Sequence, residues 1–191
     1  MILTEKTFQE TYEVRRLKKK ETIKSFNCGD TDLNDFILNE SHHYRKALLA
    51  VSYVVENKQD NHRASAYFSL ANDKVSLNDF ESKTEFNRFR KHRFVNEKRL
   101  KSYPATKICR LGVDISARGI HVGSFLLDFI KSYFVIDNKT GCRFLTVDAY
   151  AGAVPFYLKN GFIPLNDEDA DADTRLLYFD LATIADDESG D

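Results

Sequence analysis

Apolar positions along this chain change period, and the changes mark its elements. Ile108 to Val113 is a run of β-forming residues whose single charge is Arg110, which predicts a largely buried strand. From Val122 the period shifts. Val122, Phe125, Leu126, Phe129, Ile130 and Tyr133 recur at three- and four-residue steps and predict one apolar helix face. Between the two lies Arg118-Gly119-Ile120-His121-Val122-Gly123, a turn whose glycines let backbone N–H groups converge where the helix begins. Such a start combines unpaired donors with the positive end of the helix dipole, and so suits phosphates.

The flanking pattern supplies the remaining elements. Glu13 to Lys24 is basic and reads as an edge strand or lead-in segment, with a phosphate-contacting arm as the functional alternative. Asp30 is placed to cap a helix that turns Leu33, Phe36 and Ile37 inward. Ala47 to Glu56 and Ala64 to Val75 read as strands joined through the polar hairpin Asn57 to His62. Ser76 to Lys101 reads as helical or irregular. A turn at Asn138 to Gly141 leads into a strand over Cys142 to Tyr150. Pro155 suits a first helical turn and Gly161 a helix stop. Phe162 to Leu165 and Thr174 to Leu181 form a terminal strand pair, joined by a solvated acidic loop from Asp167 to Asp173.

Composition narrows the class. With 191 residues and 42% hydrophobic content, the chain suits one domain, 1–184, followed by an acidic disordered tail, 185–191. There is no internal repeat and no dividing linker. Basic and acidic residues number 28 and 29, so net charge does not point to nucleic acid or away from it. No apolar run approaches the ~20 residues that span a bilayer, and Met1 to Gln9 lacks a signal-peptide core. The three cysteines, Cys28, Cys109 and Cys142, lack Cys-x-x-Cys spacing. A disulfide scaffold and a zinc site are both disfavoured, and a cytoplasmic location is expected. Cys109 and Cys142 sit in strand-like runs and read as core. His42 and His43 occupy adjacent helical positions that point to different faces, so no metal is expected.

The turn itself excludes two nucleotide folds. No Gly-Lys-Ser/Thr follows, which removes the triphosphate loop, and Gly119 and Gly123 have the wrong spacing for a dinucleotide fingerprint. The turn instead resembles the acyl-coenzyme A loop of the GNAT N-acetyltransferases, Gln/Arg-x-x-Gly-x-Gly/Ala. Arg118 fills the first position, Val122 the fifth and Gly123 the last, while His121 stands where that family has glycine. Downstream, Asp148-Ala149-Tyr150-Ala151-Gly152-Ala153-Val154-Pro155-Phe156-Tyr157-Leu158-Lys159-Asn160-Gly161-Phe162 is similar to the family's second motif, which ends Phe-Tyr-x-x-x-Gly-Phe. Phe26-Asn27-Cys28-Gly29 with Leu33-Asn34-Asp35-Phe36-Ile37, and Tyr103-Pro104, resemble the branch that includes toxins acetylating aminoacyl-tRNA.

The resemblance implies an α/β (α+β) GNAT fold: a mostly antiparallel twisted sheet, splayed at its central strand and flanked by helices. It implies acetyl-CoA as acetyl donor and a primary amine as acceptor, with tRNA and an antitoxin as candidate partners and a homodimer left open. Leu111, Gly112 and Val113 would contact the pantetheine arm and polarise the thioester. Arg118, Gly119, His121, Val122, Gly123 and Ser124 would cradle the diphosphate. Tyr157 would protonate the departing thiolate, its plainer role being that of a core aromatic. No general base is named. His121 is compatible with the turn only at negative φ, and its presence leaves open a coenzyme- or partner-binding module without turnover. Residues 83–107 hold nine Lys/Arg against two acids, either a solvated helix or a rim facing coenzyme phosphates or an RNA backbone.

Overall fold

The computed structural model describes residues 5–136 and 140–185. Its strands are β1 Tyr12–Arg16, β2 Val51–Asn57, β3 Arg63–Ser76, β4 Ser102–Val113, β5 Phe144–Tyr150, β6 Ile163–Pro164 and β7 Thr174–Asp180. The helices are α1 Glu5–Thr11, α2 Thr31–Asp35, α3 Ser41–Lys46, α4 Lys83–Arg93, α5 Val122–Ile136, α6 Val154–Lys159 and α7 Ala182–Ala185. The strands join one sheet in the order β1-β2-β3-β4-β5-β7-β6. β1/β2, β2/β3, β5/β7 and β6/β7 pair antiparallel, whereas β4 and β5 are parallel. Parallel neighbours require a long crossover, and α5 is that crossover. This is the mixed sheet with flanking helices that the resemblance implied.

Packing divides the chain into two units, Met1–Ala71 with Ile108–Ile130, and Asn72–Lys107 with Lys131–Asp191. In the first, Phe26, Phe36, Ile37, Val54 and Tyr67 form a buried cluster. Tyr67 is 0% exposed, and its hydroxyl donates to the Leu33 carbonyl at 2.7 Å, so its one polar atom is satisfied. In the second, Phe86, Phe89, Tyr103, Phe144 and Tyr178 pack as an aromatic core. The Phe144 ring meets Tyr103 and Tyr178 edge-on, the arrangement that ring quadrupoles favour.

Several local expectations hold for the stated reasons. Asp30 caps α2, its Oδ1 accepting the Leu33 amide at 2.9 Å. Pro155 lies in the first turn of α6, and Gly161 follows that helix at φ +82°. The stretch read as helical or irregular holds α4, which Ser82 caps by accepting the Glu85 amide at 3.2 Å.

Others are corrected. The helix capped by Asp30 is not continuous: a π-helical turn, Phe36–Glu40, separates α2 from α3. The strand expected from Ala47 begins at Val51, because the chain turns at Leu48 (φ +61°) and leaves Leu48 and Leu49 exposed. On α5 the buried face is Val122, Leu126, Leu127 and Ile130, whereas Tyr133 is exposed. The strand expected from Cys142 begins at Phe144. The acidic loop is not purely solvated. Asp169 Oδ2 accepts the Leu176 amide at 2.5 Å, and Leu176's carbonyl accepts the Leu165 amide at 3.0 Å. The tail beyond Ala185, and Asn138 and Lys139 of the predicted turn, lie outside the described residues.

Candidate active site

The turn after β4 is held from beneath by one carboxylate. Asp114, 2% exposed, accepts the Asn27 amide at 3.0 Å on Oδ2, and on Oδ1 the Ser116 amide at 3.0 Å and hydroxyl at 2.6 Å. Arg63 Nη2 stands 3.5 Å from the same Oδ1, and Asp114's own amide donates to the Ser65 carbonyl at 2.9 Å. Burial pushes this carboxyl up, but the hydrogen bonds from Ser116 and Asn27 and the Arg63 charge outweigh it and leave it below the usual carboxylate range. Asp114 was missed in the sequence. An acid two residues before a serine at a strand end is an Asx-turn signal, and it was the available clue.

Gly112, one of three strand residues expected to face a pantetheine arm, is glycine for a visible reason. A Cβ there would lie 2.8 Å from Tyr67 Cε1 and 3.3 Å from the Phe26 ring. Leu111 and Val113, on the alternate face of β4, are half-buried.

Beyond Asp114, Ile115–Ala117 forms a short 3₁₀ turn that delivers Arg118 to the surface. Its guanidinium reaches back to donate to the Cys28 carbonyl. Gly119 (φ +81°) and His121 (φ +65°) both take left-handed backbone, and nothing lies within 4 Å of a Cβ built on Gly119. The condition placed on His121 is therefore not met: it adopts positive φ. Histidine is among the non-glycine residues that enter this region most readily, and here the backbone rewards it. The His121 carbonyl accepts the Ser124 and Phe125 amides at 3.1 and 3.2 Å, closing the first turn of α5. Val122 is buried, while Gly123 and Ser124 are half-buried. An open turn with two left-handed residues, leading into the N-terminus of a 15-residue helix, fits a bound diphosphate.

Tyr157 belongs to the second unit. It is 6% exposed on α6, with its ring 5.4 Å from Phe162 and 5.1 Å from Phe156, both near edge-on. Burial raises its phenol well above the ordinary tyrosine value, so it stays protonated at every physiological pH.

The other candidates sort out plainly. Among the basic residues of 83–107, Arg90 donates to the Arg99 and Leu100 carbonyls, Arg93 lies 4.2 Å over Phe89, Arg99 donates to the Phe94 carbonyl, and Lys107 pairs with Asp148. Lys83, Arg88, Lys91, Lys98 and Lys101 are exposed. A cleft of 290 Å³ beside α4, lined by Glu81, Glu85, Arg88, Phe89, His92 and Asp167 among others, contains none of the residues expected to hold acetyl-CoA or to donate a proton. His42 and His43 do not diverge as expected, since their ring centroids lie 3.9 Å apart. No metal-binding group occurs among the described residues. None of the three cysteines forms a disulfide; Cys28 is buried and Cys109 and Cys142 are half-buried. No described helix is long and apolar enough to cross a membrane.

The acetyltransferase (GNAT) domain model matches residues 82–180, just over half of the 191-residue chain. The chain belongs to the GNAT acetyltransferases. It is an acetyl-CoA-dependent N-acetyltransferase, and both sequence motifs fall inside the matched region. No curated protein matches it in sequence. Among solved structures it is similar to a tyrosine-to-phenylalanine mutant of KacT, at 21% identity over 92% of this chain and 98% of that one, with TM-score 0.73. It is similar to AtaT complexed with acetyl-methionyl-tRNAfMet, at 19% identity over 91% and 96%, with TM-score 0.67. It also resembles AtaTR bound with AcCoA, at 20% identity over 92% and 96%, with TM-score 0.64. These likenesses concern the fold.

Proposed function

We propose that the acceptor of this N-acetyltransferase is the amino group of an aminoacyl-tRNA. The observation that carries the reading is the set of exposed cations on and after α4, namely Lys83, Arg88, Lys91, Lys98 and Lys101. In a chain of net charge −1, so many solvent-facing cations on one stretch are suited to a polyanion. The fold likeness to AtaT, solved in complex with an acetylated aminoacyl-tRNA, supports it. By the same likeness an antitoxin is the expected protein partner, since AtaT has been solved bound to the C-terminus of the antitoxin AtaR.

In this reading the backbone of Leu111, Gly112 and Val113 holds the pantetheine arm and polarises the thioester carbonyl. Arg118, Gly119, His121, Val122, Gly123 and Ser124 hold the diphosphate, with Arg118 exchanging the Cys28 carbonyl for phosphate oxygen. The amine nitrogen attacks the carbonyl carbon, and the oxyanion so formed is met by backbone N–H. As the carbon–sulfur bond breaks, Tyr157 gives its proton to the thiolate, and the proton that the nitrogen sheds on becoming an amide restores the phenol. Burial keeps the phenol protonated at neutral pH, so its proton is in place when the thiolate departs, although it also makes the phenol a weaker acid.

The test is release of free thiol from acetyl-CoA with aminoacyl-tRNA, deacylated tRNA or small primary amines, at two salt concentrations. Release with aminoacyl-tRNA alone, falling steeply with salt, is the expected result. Release with small amines and none with aminoacyl-tRNA would reject the RNA acceptor while leaving the acetyltransferase intact.

A further inference from the structure

The second unit contains a charged side chain that the chemistry above does not use. Lys131 lies on α5 and is 8% exposed, rare for a lysine. Its Nζ donates to the Asn160 carbonyl at 2.9 Å and sits 4.6 Å over the Phe179 ring. Burying an ammonium is costly, and an apolar side chain in its place is often neutral or stabilising. Stability alone therefore gives little reason for this residue.

These two contacts converge on Tyr157. Asn160 caps α6: its amide donates to the Tyr157 carbonyl at 3.0 Å, and its Nδ2 to the Phe156 carbonyl at 2.7 Å. The Phe162 amide donates to the same Tyr157 carbonyl at 3.1 Å. On the ring side, Phe179 lies 5.7 Å from Phe162, which in turn packs edge-on against Tyr157. Phe179 also stands 3.2 Å from where a Cβ on Gly161 would project, so the turn after α6 is closed on it. With only six residues, α6 is too short to keep its orientation by propensity and must take it from such anchors. The ammonium also meets the negative end of that helix, where a cation is favoured.

We propose that Lys131 is a positioning residue for Tyr157. It pins the C-terminal end of α6 through Asn160 and the aromatic wall through Phe179, and together these set the direction of the phenol. The inference rests on Tyr157 being the proton donor, and the test separates the two claims.

In protein labelled with ¹³C at tyrosine Cζ, nine tyrosines give nine signals, and Tyr157→Phe identifies one by its loss. Lys131→Met is expected to broaden or split the Tyr157 signal while the other eight stay put, and Lys131→Arg is expected to restore it. Turnover with aminoacyl-tRNA is expected to fall about tenfold or more in kcat for Lys131→Met, with the acetyl-CoA KM within about twofold. In the Tyr157→Phe background the same substitution should cost nothing further. An unchanged Tyr157 signal in Lys131→Met, or equal losses of kcat in both backgrounds, would overturn the proposal. Full turnover in Tyr157→Phe would instead reject the proton-donor role, and the signals would still report whether Lys131 orients the ring.

Discussion

Asp114 Oδ2 accepts the backbone amide of Asn27 at 3.0 Å, joining the turn after β4 to the segment that leads into α2. The two residues are far apart in sequence, and with the Ile115 amide donating to the Asn27 carbonyl at 2.8 Å the bond ties two distant segments together. Asp114→Ala removes the acceptor of three hydrogen bonds whose donors sit on the exposed residues Asn27 and Ser116, and is expected to cost about 1–3 kcal/mol. Urea denaturation should show a lower midpoint at an unchanged slope. Because the folded carboxyl lies below its unfolded value near ~3.9, its contribution is fully present above about pH 4. It is lost as pH falls through the lower folded value. Wild type should therefore weaken below about pH 4 more steeply than Asp114→Asn.

Gly112→Ala is expected to destabilise by about 1–3 kcal/mol, since the added methyl lands 2.8 Å from a Tyr67 ring that has no room to retreat. Thermal denaturation would detect it. Loss of near-ultraviolet tyrosine signal should accompany the drop if Tyr67 gives way.

At His121 the direction is opposite. Left-handed backbone costs an L-residue roughly 1–2 kcal/mol, and part of this is returned by glycine's larger unfolded entropy. His121→Gly should therefore gain about 0.5 kcal/mol, while His121→Val should lose stability, both read from denaturation midpoints. Calorimetric titration with acetyl-CoA would then show whether the imidazole contributes to binding. Weaker binding in the glycine variant means that it does.

Tyr157→Phe removes one oxygen from a buried ring and should leave the fold intact. If the phenol protonates the thiolate, kcat should fall by about 10²-fold or more, with the acetyl-CoA KM little changed. Since burial raises the phenol above its ordinary value near ~10, wild-type kcat should show no alkaline decline from this group up to about pH 10. A limb falling below that pH, and absent from Tyr157→Phe, would show that the phenol ionises more readily than its burial implies.

What the sequence disclosed and what it hid follow a physical division. The β4–turn–α5 unit was legible because a strand period gives way to a helical one at Val122, a contrast carried by neighbouring residues. Asp30, Pro155 and Gly161 were legible because caps and stops are local chemistry. Asp114 and Lys131 were not, because their partners, Asn27 and Asn160, are distant in the chain. Leu48 and Leu49 misled for the converse reason. They extend an apolar run, yet a left-handed turn at Leu48 takes them out of the sheet. The sign of φ at His121 is likewise written in the geometry of the turn rather than in residue type.

The short β6 leaves most of β7 at the margin of the sheet, where unpaired backbone would invite a foreign strand. At Leu176 that invitation is withdrawn: its amide is taken by the Asp169 carboxylate and its carbonyl by the Leu165 amide. An acid in this position repels a second chain as well as occupying the donor it would need. The loop that looks like mere charge thus works as a stopper, and its removal would be felt first at high protein concentration, as slow sheet-to-sheet aggregation.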